Sequence, residues 1–125
     1  MTCVVLVVED ETLIRMVAVE TLADFGFSAE EAATAGSALQ MMQEVPQKFG
    51  AVIIDIGLPD RSGDQLAAEL RKQWTDLPIV IASGHDGSRL PAWLREDPLI
   101  RLVVKPYDNT ALNQALGDLG VTAGI

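Results

Sequence analysis

The chain has one cysteine, Cys3, which excludes an internal disulfide and fits a reducing cytoplasm. Cys3 itself reads as a buried strand residue. Basic residues are scarce: 9 Lys and Arg stand against 18 Asp and Glu, giving a net charge of -9 and a pI near 4.3. Such a surface repels a phosphate backbone, which argues against direct nucleic-acid binding. No apolar run approaches the length of a bilayer span, so no membrane segment is expected. The first ten residues, Met-Thr-Cys-Val-Val-Leu-Val-Val-Glu-Asp, lack a basic leader and run straight into acids, as a strand does and a signal peptide does not. No internal repeat, low-complexity tract or linker interrupts the chain. Its 125 residues fit one domain, 1–125, and the initial Met1 argues for a complete chain.

What is present is an alternation of two periodicities. Val4-Val5-Leu6-Val7-Val8 is apolar on both faces, the pattern of a buried parallel strand. Ala51-Val52-Ile53-Ile54, Ile79-Val80-Ile81-Ala82 and residues 99–104 repeat it, with a weaker candidate at 27–33. Between them the period is helical. Ile14, Val17, Ala18, Thr21, Leu22 and Phe25 form one face, ended by Gly26. Ser37 with Gln40 suggests a capping box for a second helix that Pro46 closes. Leu66, Ala67, Leu70 and Trp74 mark a third. Asp108 caps a last helix carrying Leu112, Ala115, Leu116 and Leu119, with Gly120 after it. The fourth helix is squeezed between turn residues 85–88 and Pro98, which leaves about residues 91–96 and a region expected to be loosely held. Five βα units predict an α/β fold: a doubly wound, flavodoxin-like parallel sheet of order 2-1-3-4-5.

In such a sheet ligands bind beyond the C-terminal strand ends. There the chain places Glu9-Asp10-Glu11, Asp55, Ser83-Gly84 and Lys105-Pro106. Crowded carboxylates raise each other's cost of ionising, and a hard divalent cation such as Mg²⁺ relieves it. Lys105 supplies positive charge from the other side, so a phosphoryl group between them is neutralised from two directions. A carboxylate can itself be the nucleophile and form an acyl phosphate.

These residues resemble a known family. Val5-Leu6-Val7-Val8-Glu9-Asp10-Glu11, Ile53-Ile54-Asp55-Ile56-Gly57-Leu58-Pro59-Asp60-Arg61-Ser62-Gly63, Ile81-Ala82-Ser83-Gly84 and Val103-Val104-Lys105-Pro106-Tyr107 are similar, in order, to the motifs of response-regulator receiver domains of two-component signalling. The resemblance covers nearly the whole chain and looks like the stand-alone type. It implies that Asp55 is the phosphoacceptor. It implies that Asp10 binds Mg²⁺ directly, Glu9 through a water, and Gly57 through its carbonyl, with Asp55 in the same metal site. Ser83 would bond a phosphoryl oxygen and Lys105 would pair with it. The Lys105-Pro106 bond would be cis. A histidine kinase or histidine phosphotransfer protein would be the donor, and an unknown downstream protein the reader. The implied activity is signalling, with Mg-dependent self-phosphorylation and slow self-dephosphorylation, not enzymatic turnover.

Three positions depart from the family pattern. Glu9 stands where many members carry aspartate, and its extra methylene bears on where the metal or its water sits. Leu102 stands where an aromatic switch residue is usual, and Gly84 where alanine is common. With the short fourth helix, these resemble a receiver subgroup without the aromatic switch. His85, the one histidine, is read two ways: as tuning attack by water on the phosphoryl group, or as an exposed loop residue. Glu11 is read as solvated at the start of the first helix. Trp74 and Trp93 are read as packing residues, Trp93 also as part of a partner surface. Other functions fit these residues less well. A phosphohydrolase on this fold wants a second acid where Gly57 stands. A flavin's phosphate would be repelled by Glu9-Asp10-Glu11. A degenerate receiver that binds independently of phosphorylation sits poorly with Asp10, Asp55, Ser83 and Lys105 all retained.

Overall fold

The computed structural model describes residues 3–45, 47–84, 90–105 and 108–122. Five strands alternate with five helices: β1 Val4–Val8, α1 Thr12–Asp24, β2 Ser28–Ala32, α2 Ala35–Glu44, β3 Phe49–Asp55, α3 Gly63–Gln73, β4 Ile79–Ser83, α4 Ala92–Glu96, β5 Ile100–Val104 and α5 Asn109–Asp118. All strand pairs are parallel and the order is β2-β1-β3-β4-β5, as expected from the sequence. The roles expected for His85, and the cis bond before Pro106, lie outside the described residues, as does Pro46.

Strand residues alternate between two cores because successive side chains point to opposite faces. Leu6, Val8, Val52, Ile54, Ile79 and Ile81 pack with α2, α3 and α4 through Ala38, Met42, Leu66, Leu70 and Leu94. Val5, Val7, Ala51, Ile53, Val80 and Val103 pack with α1 and α5 through Ala18, Leu22, Leu112 and Leu116. The hydroxyl of Thr21 donates to Asn109 Oδ1 at 3.0 Å and joins α1 to α5 over that face. Positive φ at Gly26 (89°) and Gly120 (77°) ends α1 and α5, where a side chain would be strained.

Four details differ from the sequence reading. Val17 faces solvent, because it sits at the edge of the α1 stripe that Ala18, Thr21 and Leu22 bury. Helix α2 starts earlier than a Ser37 cap implies: Thr34 is the cap, and its side chain accepts from Ser37 N–H at 3.0 Å. Cys3 is only half-buried and precedes β1. Trp74 follows α3 rather than lying within it, packed against the core.

Candidate functional site

Strand register assembles the site. Val8 pairs with Ile54, so Glu9 and Asp55 come level where β1 and β3 end. Asp55 pairs with Ala82, and Ser83 pairs with Val104, which brings Ser83 and Lys105 to the same rim. Alternation adds a second constraint. Glu9, Asp55 and Lys105 continue the face of Val7, Ile53 and Val103, whereas Ser83 continues the face of Ile81.

The three side chains that share a face are in contact. Lys105 Nζ donates to Asp55 Oδ1 at 2.7 Å and to Glu9 Oε2 at 2.8 Å. Glu9 Oε1 also accepts from Glu11 N–H at 3.1 Å. Lys105 is itself positioned by the backbone, its N–H donating to Ser83 C=O at 2.6 Å. Glu9, Asp55 and Ser83 are buried polar residues, whereas Asp10 is exposed. One carboxylate oxygen from each of Glu9, Asp10 and Asp55 lies within 4.8 Å of the others. Three carboxylates thus face one ammonium.

Burial pushes the Glu9 carboxyl above its ordinary pKa; hydrogen bonds from Lys105 and Glu11 N–H oppose this, and the Asp55 charge adds to it. At Lys105 burial pulls the ammonium down, but hydrogen bonds to Asp55 and Glu9 outweigh it and the pKa is raised. The lysine therefore stays charged while Glu9 sits at a cost. The donor set is all oxygen, which suits a small hard cation that keeps several waters. Among the described residues, Glu9, Asp10 and Asp55 form the acidic cluster that could hold one.

The loop after Asp55 is held close. Ile56 N–H donates to Ala82 C=O at 3.0 Å and Gly63 N–H to Ile56 C=O at 2.9 Å. A Cβ on Gly63 would lie 2.5 Å from the Asp55 carbonyl oxygen, so only glycine lets α3 begin this near the strand end. Leu58 plugs the loop into the core. Sequence reasoning placed Glu9, Asp10, Asp55, Ser83 and Lys105 on the rim, and they lie there; Gly57, which only the family resemblance implied, is exposed just beyond Asp55. It missed Arg15, whose Nη1 donates to Glu9 C=O at 2.8 Å and whose Nε pairs with Glu31 at 2.9 Å, steadying the β1–α1 turn. It also missed the part played by Asp60. Its oxygens accept from Ala35 and Gly36 N–H, both at 2.9 Å, a cap supplied from 24 and 25 residues away that carries no local sequence mark.

Comparison with known proteins agrees with this geometry. The chain is 33% identical over 103 residues to the sensor kinase CckA of Brucella abortus, covering 82% of this chain and 11% of CckA. It is 32% identical over 110 residues to a putative NtrX-like response regulator of Rickettsia felis, covering 86% of this chain and 23% of the relative. The chain thus spans a quarter or less of the length of these curated relatives. The structure of the Thermotoga maritima response regulator TrrA, in complex with Mg²⁺-BeF, superposes with a TM-score of 0.82 at 27% identity, covering 94% of this chain and 98% of that one. Residues 5–117 match the response regulator receiver domain family, and the chain belongs to that family of two-component signalling proteins.

Proposed function

We propose that this receiver accepts a phosphoryl group on Asp55 from a phosphohistidine of a histidine kinase or histidine phosphotransfer protein, with Mg²⁺ held by Asp10, Asp55, the Gly57 carbonyl and, through a water, Glu9. The observation that carries this reading is the triad of Asp55, Lys105 and the acidic cluster on one rim. Lys105 holds Asp55 Oδ1, and Oδ2 is the nucleophile. An O–P bond forms at Oδ2 as the P–N bond of the donor breaks, and the imidazole, protonated on its other ring nitrogen, leaves neutral with the electron pair. Bound Mg²⁺ would neutralise charge developing on the transferred oxygens. Lys105, released from Glu9, pairs with one phosphoryl oxygen, and the Ser83 hydroxyl bonds another. The likeness to TrrA, bound to Mg²⁺-BeF, supports a metal at this rim.

The donor docks beside the site. Leu13, Met16 and Val17 are 77%, 48% and 58% exposed, and three- and four-residue spacing puts them on one face of α1. This apolar face rises directly from the Glu9-Asp10-Glu11 turn, so a helical donor seated on it meets Asp55. Replacing Leu13 and Val17 with Asp should slow transfer from a phosphohistidine protein about tenfold while a small phosphodonor reacts as before. Equal rates from both donors in variant and wild type would remove α1 from the docking surface.

The phosphorylated form signals to a downstream protein, and with so acidic a surface not directly to nucleic acid. Among the described residues no helix is long and apolar enough to cross a membrane. A cytoplasmic setting fits the lone Cys3 and the kinase partner. The reading face is α4, β5 and α5, where a groove of about 390 Å³ between β5 and α5 is lined by both apolar and polar residues, among them Leu102, Val104, Ala111, Arg101, Asp108 and Gln114. Leu102, half-buried against the core, replaces the family's aromatic switch, so coupling runs through aliphatic packing and the five-residue α4. Exposure to a small phosphodonor with Mg²⁺, read by intact mass in wild type and Asp55→Asn, tests the reading.

A further inference from the structure

We infer that Asp60 is a positioning residue that fixes the metal-side loop of the acceptor site by gripping the start of α2; this rests on the function proposed above. Helix α2 leaves three N–H groups without partners inside the helix, and all three are satisfied. Ala35 and Gly36 donate to the two Asp60 oxygens at 2.9 Å, and Ser37 donates to Thr34 Oγ1 at 3.0 Å. The first intrahelical bond follows, Ala38 N–H to Thr34 C=O at 3.1 Å. One cap is local. The other comes from the loop that leaves Asp55.

That loop is rooted at both ends by Ile56 and Gly63, as described, and Gly57 and Asp60 lie between the roots. Among the described residues, Arg61 reaches forward, to Glu69 on α3. Among the described residues, Asp60 is thus the side chain whose hydrogen bonds tie this stretch to another part of the rim. Its anchor is firm, because Ala35, Ala38 and Met42 bury α2 in the core. A charged acceptor at a helix N-terminus is also favoured by the helix dipole and by charge-assisted bonding. The two N–H donors hold the Asp60 carboxyl below the usual range although it is exposed to water.

The tie closes a ring around the site. Glu9 N–H donates to Ala32 C=O at 3.0 Å, linking the β1 end to the β2 end. Two residues on, Thr34 caps α2. Asp60 then joins α2 to the β3–α3 loop, three residues past Gly57. The acids of the β1–α1 turn and the Gly57 carbonyl are thereby set relative to each other through the β2–α2 turn. Asp60 is outside the acidic cluster of Glu9, Asp10 and Asp55 and acts on the metal only through Gly57.

The test is titration of Mg²⁺ alone by calorimetry, at a temperature where circular dichroism shows each protein folded. Asp60→Ala should bind Mg²⁺ roughly tenfold more weakly, the loss typical of a residue that orients a metal ligand. Thr34→Ala removes the other cap of the same helix, so it should lower the melting temperature yet bind Mg²⁺ as wild type does. Should Asp60→Ala fail to fold, Asp60→Asn keeps the side-chain shape and one acceptor oxygen, and should still bind more weakly than wild type. Wild-type affinity in the Asp60 variants would overturn the inference, as would an equal loss in Thr34→Ala, which would reduce the effect to helix stability. A wild-type protein that binds no Mg²⁺ overturns the parent reading, and this one with it.

Discussion

Among the described residues, two of the ion-pair clusters lie at opposite ends of the sheet and are built on different accounts. At the C-terminal strand ends, Glu9, Asp10 and Asp55 face the single ammonium of Lys105. At the opposite end Arg71 is matched one to one. Its Nε donates to Asp97 Oδ2 at 2.8 Å, while Nη1 donates to the carbonyls of Trp74, Thr75 and Leu77 at 3.0, 3.1 and 2.8 Å. Asp97 Oδ1 accepts from Leu99 N–H at 2.8 Å. The second cluster fastens the α3–β4 loop to the end of α4. Its one unmatched atom, Arg71 Nη2, is a donor left over within a complete strut. The first cluster has negative charge left over, and that surplus is what a cation would neutralise before a phosphoryl group could enter. Charge balance separates a strut from a site.

The largest effect expected from this contrast falls on the strut. Arg71→Ala leaves the Asp97 carboxylate mostly buried without its cation and should cost about 3 kcal/mol in urea unfolding. Its Mg²⁺ affinity should stay that of wild type. A large loss of metal affinity would mean that the two ends are not independent.

The next effect belongs to the site. Mg²⁺ at roughly a hundred times its Kd should stabilise the wild type by about 2.7 kcal/mol, and Asp10→Ala should lose most of that gain. Equal stabilisation of both proteins would show that the ion binds elsewhere.

How much of this was legible in the sequence depends on whether the partners are local. β1, β3 and β4 are buried on both faces and announce themselves as apolar runs. β2, Ser-Ala-Glu-Glu-Ala, is an edge strand, and its acids are answered from afar, Glu30 by Lys48 and Glu31 by Arg15. It read weakly for that reason. Glu9, Asp55, Ser83 and Lys105 were legible because each ends or follows an apolar run, and a parallel sheet brings such ends to one rim. Asp60 and Arg71 were not. Asp60 accepts from backbone groups 24 and 25 residues away, and Arg71 meets loop carbonyls and a carboxylate 26 residues on, none of which a local side-chain pattern marks. The start of α2 is hidden for the same reason: two of its three capped N–H groups are held by Asp60.

The smallest effect sharpens that last point through pH. Two backbone N–H groups lower the Asp60 pKa in the folded state below its unfolded value. Asp60 therefore adds stability that is present above the unfolded carboxylate pKa and is lost as pH falls through the lower, folded one. Asp60→Asn should melt earlier than wild type at neutral pH, with the gap closing towards acid. A gap that is constant with pH would mean that the charge of Asp60 does not matter to the cap.

The central claim is that Asp55 takes the phosphoryl group, and intact mass spectrometry tests it directly. Incubated with a small phosphodonor and Mg²⁺, the wild type should gain the mass of one phosphoryl group, and Asp55→Asn should gain none. No added mass in the wild type, or the same gain in Asp55→Asn, would contradict the account.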